Sequence, residues 1–164
     1  MSRPKSDLEA LRQDLHKVYD GEPWHGSSIT EVLKGIDAEA AARQPIPHAH
    51  TIWELVLHMT AWTREVASRV RGALAKSPPE DWPAPRFGGG EQAWKSAKDD
   101  LAAAQKEIEA AVAALQADDL VRWIENPEGT SCTVGTVIRG LLQHHTYHQG
   151  QIAILKRAAE TSSA

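Results

Sequence analysis

TVGTVIRGLLQHHTYHQGQIAILKR, residues Thr133 to Arg157, decides how this chain is read. At about 100° per residue with Leu141 as origin, Val134, Val137, Ile138, Ile152 and Leu155 fall within about 60°, one apolar stripe on a helix. His148 lies about 20° to one side of the stripe centre, His145 about 40° to the other, and His144 about 60° out on the side of His148. Imidazoles on or beside a dry face need partners for their ring nitrogens, and a pair four residues apart can share a metal ion as that partner. Nitrogen-only ligation suits Zn, Ni, Co or Fe(II) rather than Mg or Ca, which prefer oxygen. The same H-x-x-x-H pattern also fits buried, hydrogen-bonded histidines, so a third ligand from elsewhere has to separate the two readings.

Working outward, the 164 residues suffice for one domain with a self-sufficient core, and residues 1–164 are read as a single domain. A formal net charge of -4 with no Lys/Arg cluster leaves no footprint for nucleic acid or an anionic membrane, so neither is expected as a partner. The start, MSRPKSDLEA, lacks an apolar signal region, and no apolar run approaches the length that spans a bilayer. A lone cysteine, Cys132, excludes an intramolecular disulfide framework, and a cytoplasmic location is expected. If the last helix is continuous from Thr133, Cys132 sits about 18 Å of helical rise from His144, too far to join a site there, and is read as structural.

Three further helices are expected. The first opens at Ser6 with Glu9 three residues on, a capping-box pattern, and carries Leu8, Leu11, Leu15 and Val18 on one face. After it, GEPWHG places Trp24 and His25 where they line a pocket or cover the core, and Ser28 with Glu31 starts a short accessory helix. The second long helix runs from Thr51, with Glu54 completing a T-x-x-E box, to about Leu74, its stripe formed by Leu55, Met59, Trp62 and Val66. On it His58 lies about 60° off the stripe centre, the same offset as His144, which makes it the candidate third ligand. Glu54 is read chiefly as folding back on the helix start, with orientation of His58 as its other use.

Residues 76–90, KSPPEDWPAPRFGGG, form a crossover by composition. The third long helix spans about Glu91 to Gln116 on Trp94, Ala97, Leu101, Ala104, Ile108 and Leu115. Residues 117–132 are a second crossover with an Asn126-Pro127-Glu128-Gly129 turn, where Trp123 and Ile124 plug one end of the core. Four amphipathic helices without a strand pattern make an all-α four-helix bundle with long crossover connections, an architecture in which facing helices can present metal ligands to one point.

WELVLHMTAW at Trp53 to Trp62, followed by LLQHHTYHQGQIAIL at Leu141 to Leu155, resembles the DinB/YfiT-like superfamily of metal-binding four-helix bundles over nearly the whole chain, the WHG of the first connection included. The resemblance implies ligands at His58, His144 and His148, with His145 as the rival to His144, since an i,i+3 pair with His148 is also geometrically possible. It further implies Zn or Ni as the usual ion, frequent homodimers, and relatives that are S-transferases using bacillithiol or mycothiol, or a thiol-dependent isomerase.

Three neutral imidazoles leave an ion its full charge and an open coordination position, the arrangement of a catalytic metal. The leading expectation is a thiol-dependent S-transferase in which the ion holds a low-molecular-weight thiol as thiolate, with Trp62 and Tyr147 as candidates for lining the pocket. The alternatives are a metal-dependent hydrolase, with Glu54 as the base, and a non-catalytic metal-binding or stress-response module.

Overall fold

A computed structural model describes residues 7–85, 87–127 and 129–161. Its helices are α1 (Asp7–Asp20), α2 (Ile29–Leu33), α3 (Ala38–Ala42), α4 (Ile52–Val70), α5 (Gly90–Ala113) and α6 (Val134–Thr161). The four long ones form the expected all-α bundle: α4 packs on α5 and α6, and α1 closes the square against the same two helices. The expected capping start at Ser6 lies outside the described residues.

Each long helix is amphipathic because the stripe residues fall inside. Leu8, Leu11, Leu15 and Val18 of α1 are all buried, as are Trp94, Ala97, Leu101, Ala104 and Ile108 of α5. At about 1.5–3 kcal/mol for each large apolar side chain removed from water, these stripes outweigh intrinsic propensity in holding the helices. Thr51 and Glu54 do form the capping box, the Thr51 hydroxyl accepting from the Glu54 amide and the Glu54 carboxylate accepting from the Thr51 amide at 2.7 Å.

Several expectations change in detail. Helix α4 stops at Val70 rather than near Leu74, because Gly72 adopts φ +106 and closes a Schellman motif: its amide reaches the Arg69 carbonyl, and the Ala73 amide reaches Ser68. Ser28 precedes α2 without capping it through its side chain; its hydroxyl pairs with Thr30 instead. The second crossover contains a two-residue antiparallel pair, β1 (Trp123–Ile124) against β2 (Cys132–Thr133), too short to leave a period-2 signal. Ile124 plugs the core as expected, but Trp123 points to solvent. The expected turn nearby includes Glu128, which lies outside the described residues; within it the Gly129 amide donates to the Asn126 carbonyl. Trp24 is fully exposed and covers nothing.

The core divides into two apolar clusters. One gathers Trp53, Leu55, Val56 and Met59 of α4 with Trp94 and Leu101 of α5 and Ile152 and Leu155 of α6. The other gathers Val66 and Val70 of α4 with Ile108 and Val112 of α5 and Val134, Ile138 and Leu141 of α6. Between them, along α4 and α6, lies a buried polar layer that contains His58, Thr63, His145 and His148. The candidate site occupies this layer.

Candidate metal centre

Helix α4 supplies His58, and α6 supplies His144 and His148 one turn apart. The three Nε2 atoms converge: His58 to His144 is 2.9 Å and His144 to His148 is 3.1 Å. No other grouping of three His, Cys, Asp or Glu side chains among the described residues brings ligand atoms together so closely; these three lie within 4.8 Å of one another and can hold a metal ion. A tetrahedral ion with metal–nitrogen bonds of about 2.0–2.1 Å would set the nitrogens about 3.3–3.4 Å apart, so the two short separations would open slightly while the His58–His148 separation, within the 4.8 Å span, would close.

The outer ring nitrogens decide what the inner ones can do. His58 Nδ1 faces the Asp81 backbone carbonyl at 2.7 Å, which can only accept, so that nitrogen carries the proton. The Asp81 carboxylate lies 3.3 Å from the same atom. His148 Nδ1 faces Gln151 Oε1 at 2.6 Å, and the Gln151 amide nitrogen points to the Tyr147 hydroxyl, which again fixes a proton on Nδ1. Both Nε2 atoms therefore present lone pairs, and His144 can donate to at most one of them. His144 Nδ1 is buried without a hydrogen-bond partner among the described residues. Shared lone pairs, backed by acceptors that orient the rings, can serve as the donor set for a metal ion and suit a proton-only network poorly.

Electrostatics agree with that assignment. Burial pushes the His144 imidazole down to about 4, with His148 and His58 adding to the effect. Burial also lowers His148, partly offset by its bond to Gln151. Both are therefore neutral at pH 7, as ligation requires.

The rival, His145, faces the other way. It is 1% exposed, and its Nε2 meets the Thr63 hydroxyl at 2.9 Å. That hydroxyl spends its proton on the Met59 carbonyl at 2.7 Å, so His145 must donate and its Nε2 has no lone pair to offer. Burial drives its imidazole down to about 3, a neutral core histidine. Glu54, bound into the α4 cap, is likewise spoken for, its nearest imidazole being His50 at 3.7 Å.

Sequence reasoning missed the contribution of the first crossover. Residues 71–85 bring back Asp81, which also accepts from Trp62 Nε1 at 2.7 Å, and Trp82, whose ring stacks on His58 at 3.9 Å and 9°. The other face of Trp82 carries His50 at 3.5 Å, so the indole is clasped between two imidazoles. Gln151, three residues after His148 on the same helix, was legible as an orienting acceptor from its spacing; Asp81 and Trp82 were not, because nothing periodic relates them to His58. Trp62 stands beside the cluster, its ring 6.2 Å from that of His144, while Tyr147 is exposed, with its ring 5.0 Å from His148. Cys132, in β2, forms no part of the cluster.

The model of the DinB superfamily matches residues 24–152, which include all three histidines. The chain belongs to the DinB superfamily. Among solved structures, a DinB-like protein from Bacillus cereus ATCC 10987 superposes with a TM-score of 0.61 at 16% identity, covering 94% of this chain and 87% of that one. A conserved protein from Enterococcus faecalis superposes with a TM-score of 0.63 at 14% identity, covering 94% of both. At these identities the likeness is one of fold. No curated protein matches the chain. As a DinB member it also has no helix, among the described residues, long and apolar enough to cross a membrane.

Proposed function

We propose that this DinB protein is a metal-dependent thiol S-transferase with His58, His144 and His148 as the ligands. The observation that carries the reading is the convergence of three Nε2 atoms whose partner nitrogens, on His58 and His148, are already tied to outward acceptors. Zinc or nickel fits the nitrogen-only donor set. When bound, such an ion supplies a Lewis-acidic position that favours a low-molecular-weight thiol in its thiolate form. The chain's own residues do the rest. The Asp81 carbonyl and Gln151 fix two rings in the ligating tautomer, Trp82 covers one face of His58, and Trp62 stands where it can flank a reactant beside His144.

A hydrolase reading loses Glu54, the base expected for it, since that carboxylate is bound to the Thr51 amide and hydroxyl. The reading includes a homodimer, which the resemblance supports, and a cytoplasmic location, which the lone Cys132 supports. The test is Co(II) substitution: addition of a thiol should produce an intense sulfur-to-metal charge-transfer band, and turnover of an electrophile should require that thiol. Turnover by hydrolysis alone, indifferent to thiol, would remove the transferase; silence in both assays would leave a metal-binding module.

A further inference from the structure

Next to the histidine cluster, one turn toward the start of α6, lies a cavity of about 220 Å³ between α4 and α6. Trp62 and Val66 wall it on α4, Val137 and Leu141 on α6, and His144 separates it from the cluster. Its rim holds one charge, Arg69, already engaged by Glu65 at 3.0 Å and by the Lys76 carbonyl, and lying over the Trp62 ring at 5.5 Å. Gly140 completes the lining, and a Cβ there would meet nothing within 4 Å. A glycine in a helix interior costs stability relative to alanine. Here its missing side chain leaves the mouth of the cavity open.

We infer that this cavity receives the apolar portion of the electrophile, a neutral group the size of one substituted aromatic ring or a short branched alkyl chain. A polar occupant would lose its water against almost wholly apolar walls, on which the buried His144 Nδ1 is, among the described residues, the one unpartnered polar atom, and an anion would find Arg69 already paired. A dry cavity of about 150 Å³ holds benzene in another protein, so this one has room for a ring and a substituent or two. His144 borders both spaces, so the occupant's reactive carbon can reach the ligand cluster while its apolar body stays on the far side of that ring. The inference rests on the proposed transferase for the word electrophile; the binding of an apolar group rests on the cavity itself.

The experiment uses metal-loaded protein carrying ¹³C-labelled valine and leucine methyls, titrated with toluene. Saturable shifts confined to the methyls of Val66, Val137 and Leu141 are expected. They should weaken about tenfold or more in Gly140→Leu and Val137→Phe, and persist in Gly140→Ala, with metal content equal in all. Absence of saturable shifts, or shifts that survive both filling substitutions, overturns the cavity assignment. A parallel assay keeps the two claims apart. Thiol transfer to iodoacetamide without any toluene binding sinks the cavity and spares the transferase, whereas toluene binding without thiol transfer to any electrophile does the reverse.

Discussion

The two long connections of the bundle make an instructive pair. Residues 71–85, after α4, turn back along it and deliver a carbonyl, a carboxylate and an indole to His58 and Trp62. Residues 114–133, between α5 and α6, deliver packing: Ile124 is 2% exposed in the cluster with Val66, Ile108 and Ile138, and Arg122 donates to the Val70 carbonyl at the end of α4. They touch where the Ala75 amide meets the Glu125 carbonyl at 2.9 Å. The first connection orients the candidate ligand His58 and adds only the small Ala75 to the core, whereas the second closes the core, so the site and the fold's stability can be perturbed largely separately.

The largest effect comes from the three proposed ligands, of which the first connection holds His58. Alanine at His58, His144 or His148 should each reduce metal content after purification to background, while His145→Ala retains metal and loses stability instead. An empty site in His145→Ala with a filled one in His144→Ala would reverse the assignment of the two neighbours. Next, Ile124→Ala in the second connection should cost about 2–5 kcal/mol in urea unfolding with metal affinity unchanged. A parallel fall in affinity would show that the two connections are not independent.

Acid probes the polar layer between the clusters. His144 and His145 are lowered to about 4 and about 3, below an unfolded value of about 6.5. The unfolded chain therefore binds protons that the folded one refuses. This contribution to stability is intact above about pH 6.5 and is lost as pH falls through the window down to those folded values. The metal-free protein should unfold at a lower urea concentration at pH 5 than at pH 7, and a midpoint that does not move would contradict burial of these rings.

The smallest effects come from the two tryptophans, one per connection. Trp82→Ala removes the stack on His58 and should weaken metal binding about 10–100-fold, about 1.4–2.7 kcal/mol, with little change in helix content. Trp123→Ala, at an exposed position, should stay within about 0.5 kcal/mol of the parent in stability and leave metal affinity alone. Equal effects from the two would erase the distinction drawn between the connections.

These contrasts mark how far the sequence could be read. Helix faces were legible because Leu55, Met59 and Val66, or Ile138, Leu141 and Ile152, recur at the helical period, and the Thr51–Glu54 box announces its own hydrogen bonds. His58, His144 and His148 stood out through offsets from those stripes. Spacing alone could not choose between His144 and His145; that choice came from the resemblance, and its physical basis is the Thr63 hydroxyl that claims His145 from another helix. Asp81 and Trp82 lay in a proline-rich stretch where no periodicity constrains direction, and the bond from His58 to Asp81 is to a backbone carbonyl, which every residue type possesses. Trp123 was misjudged because a strand pair of two residues sends neighbouring side chains to opposite faces, and only Ile124 faces the core.

The separation between His58 and His144, 86 residues along the chain, bears on how the molecule comes and goes over time. Until α6 has docked on α4 the ligands are at opposite ends of a long open loop, whose closure entropy must be met before ligation returns anything. An ion held there would therefore recognise a nearly finished bundle and act on the rate of opening more than on the rate of folding. Loading would lengthen the life of each molecule already folded without hastening the arrival of the next.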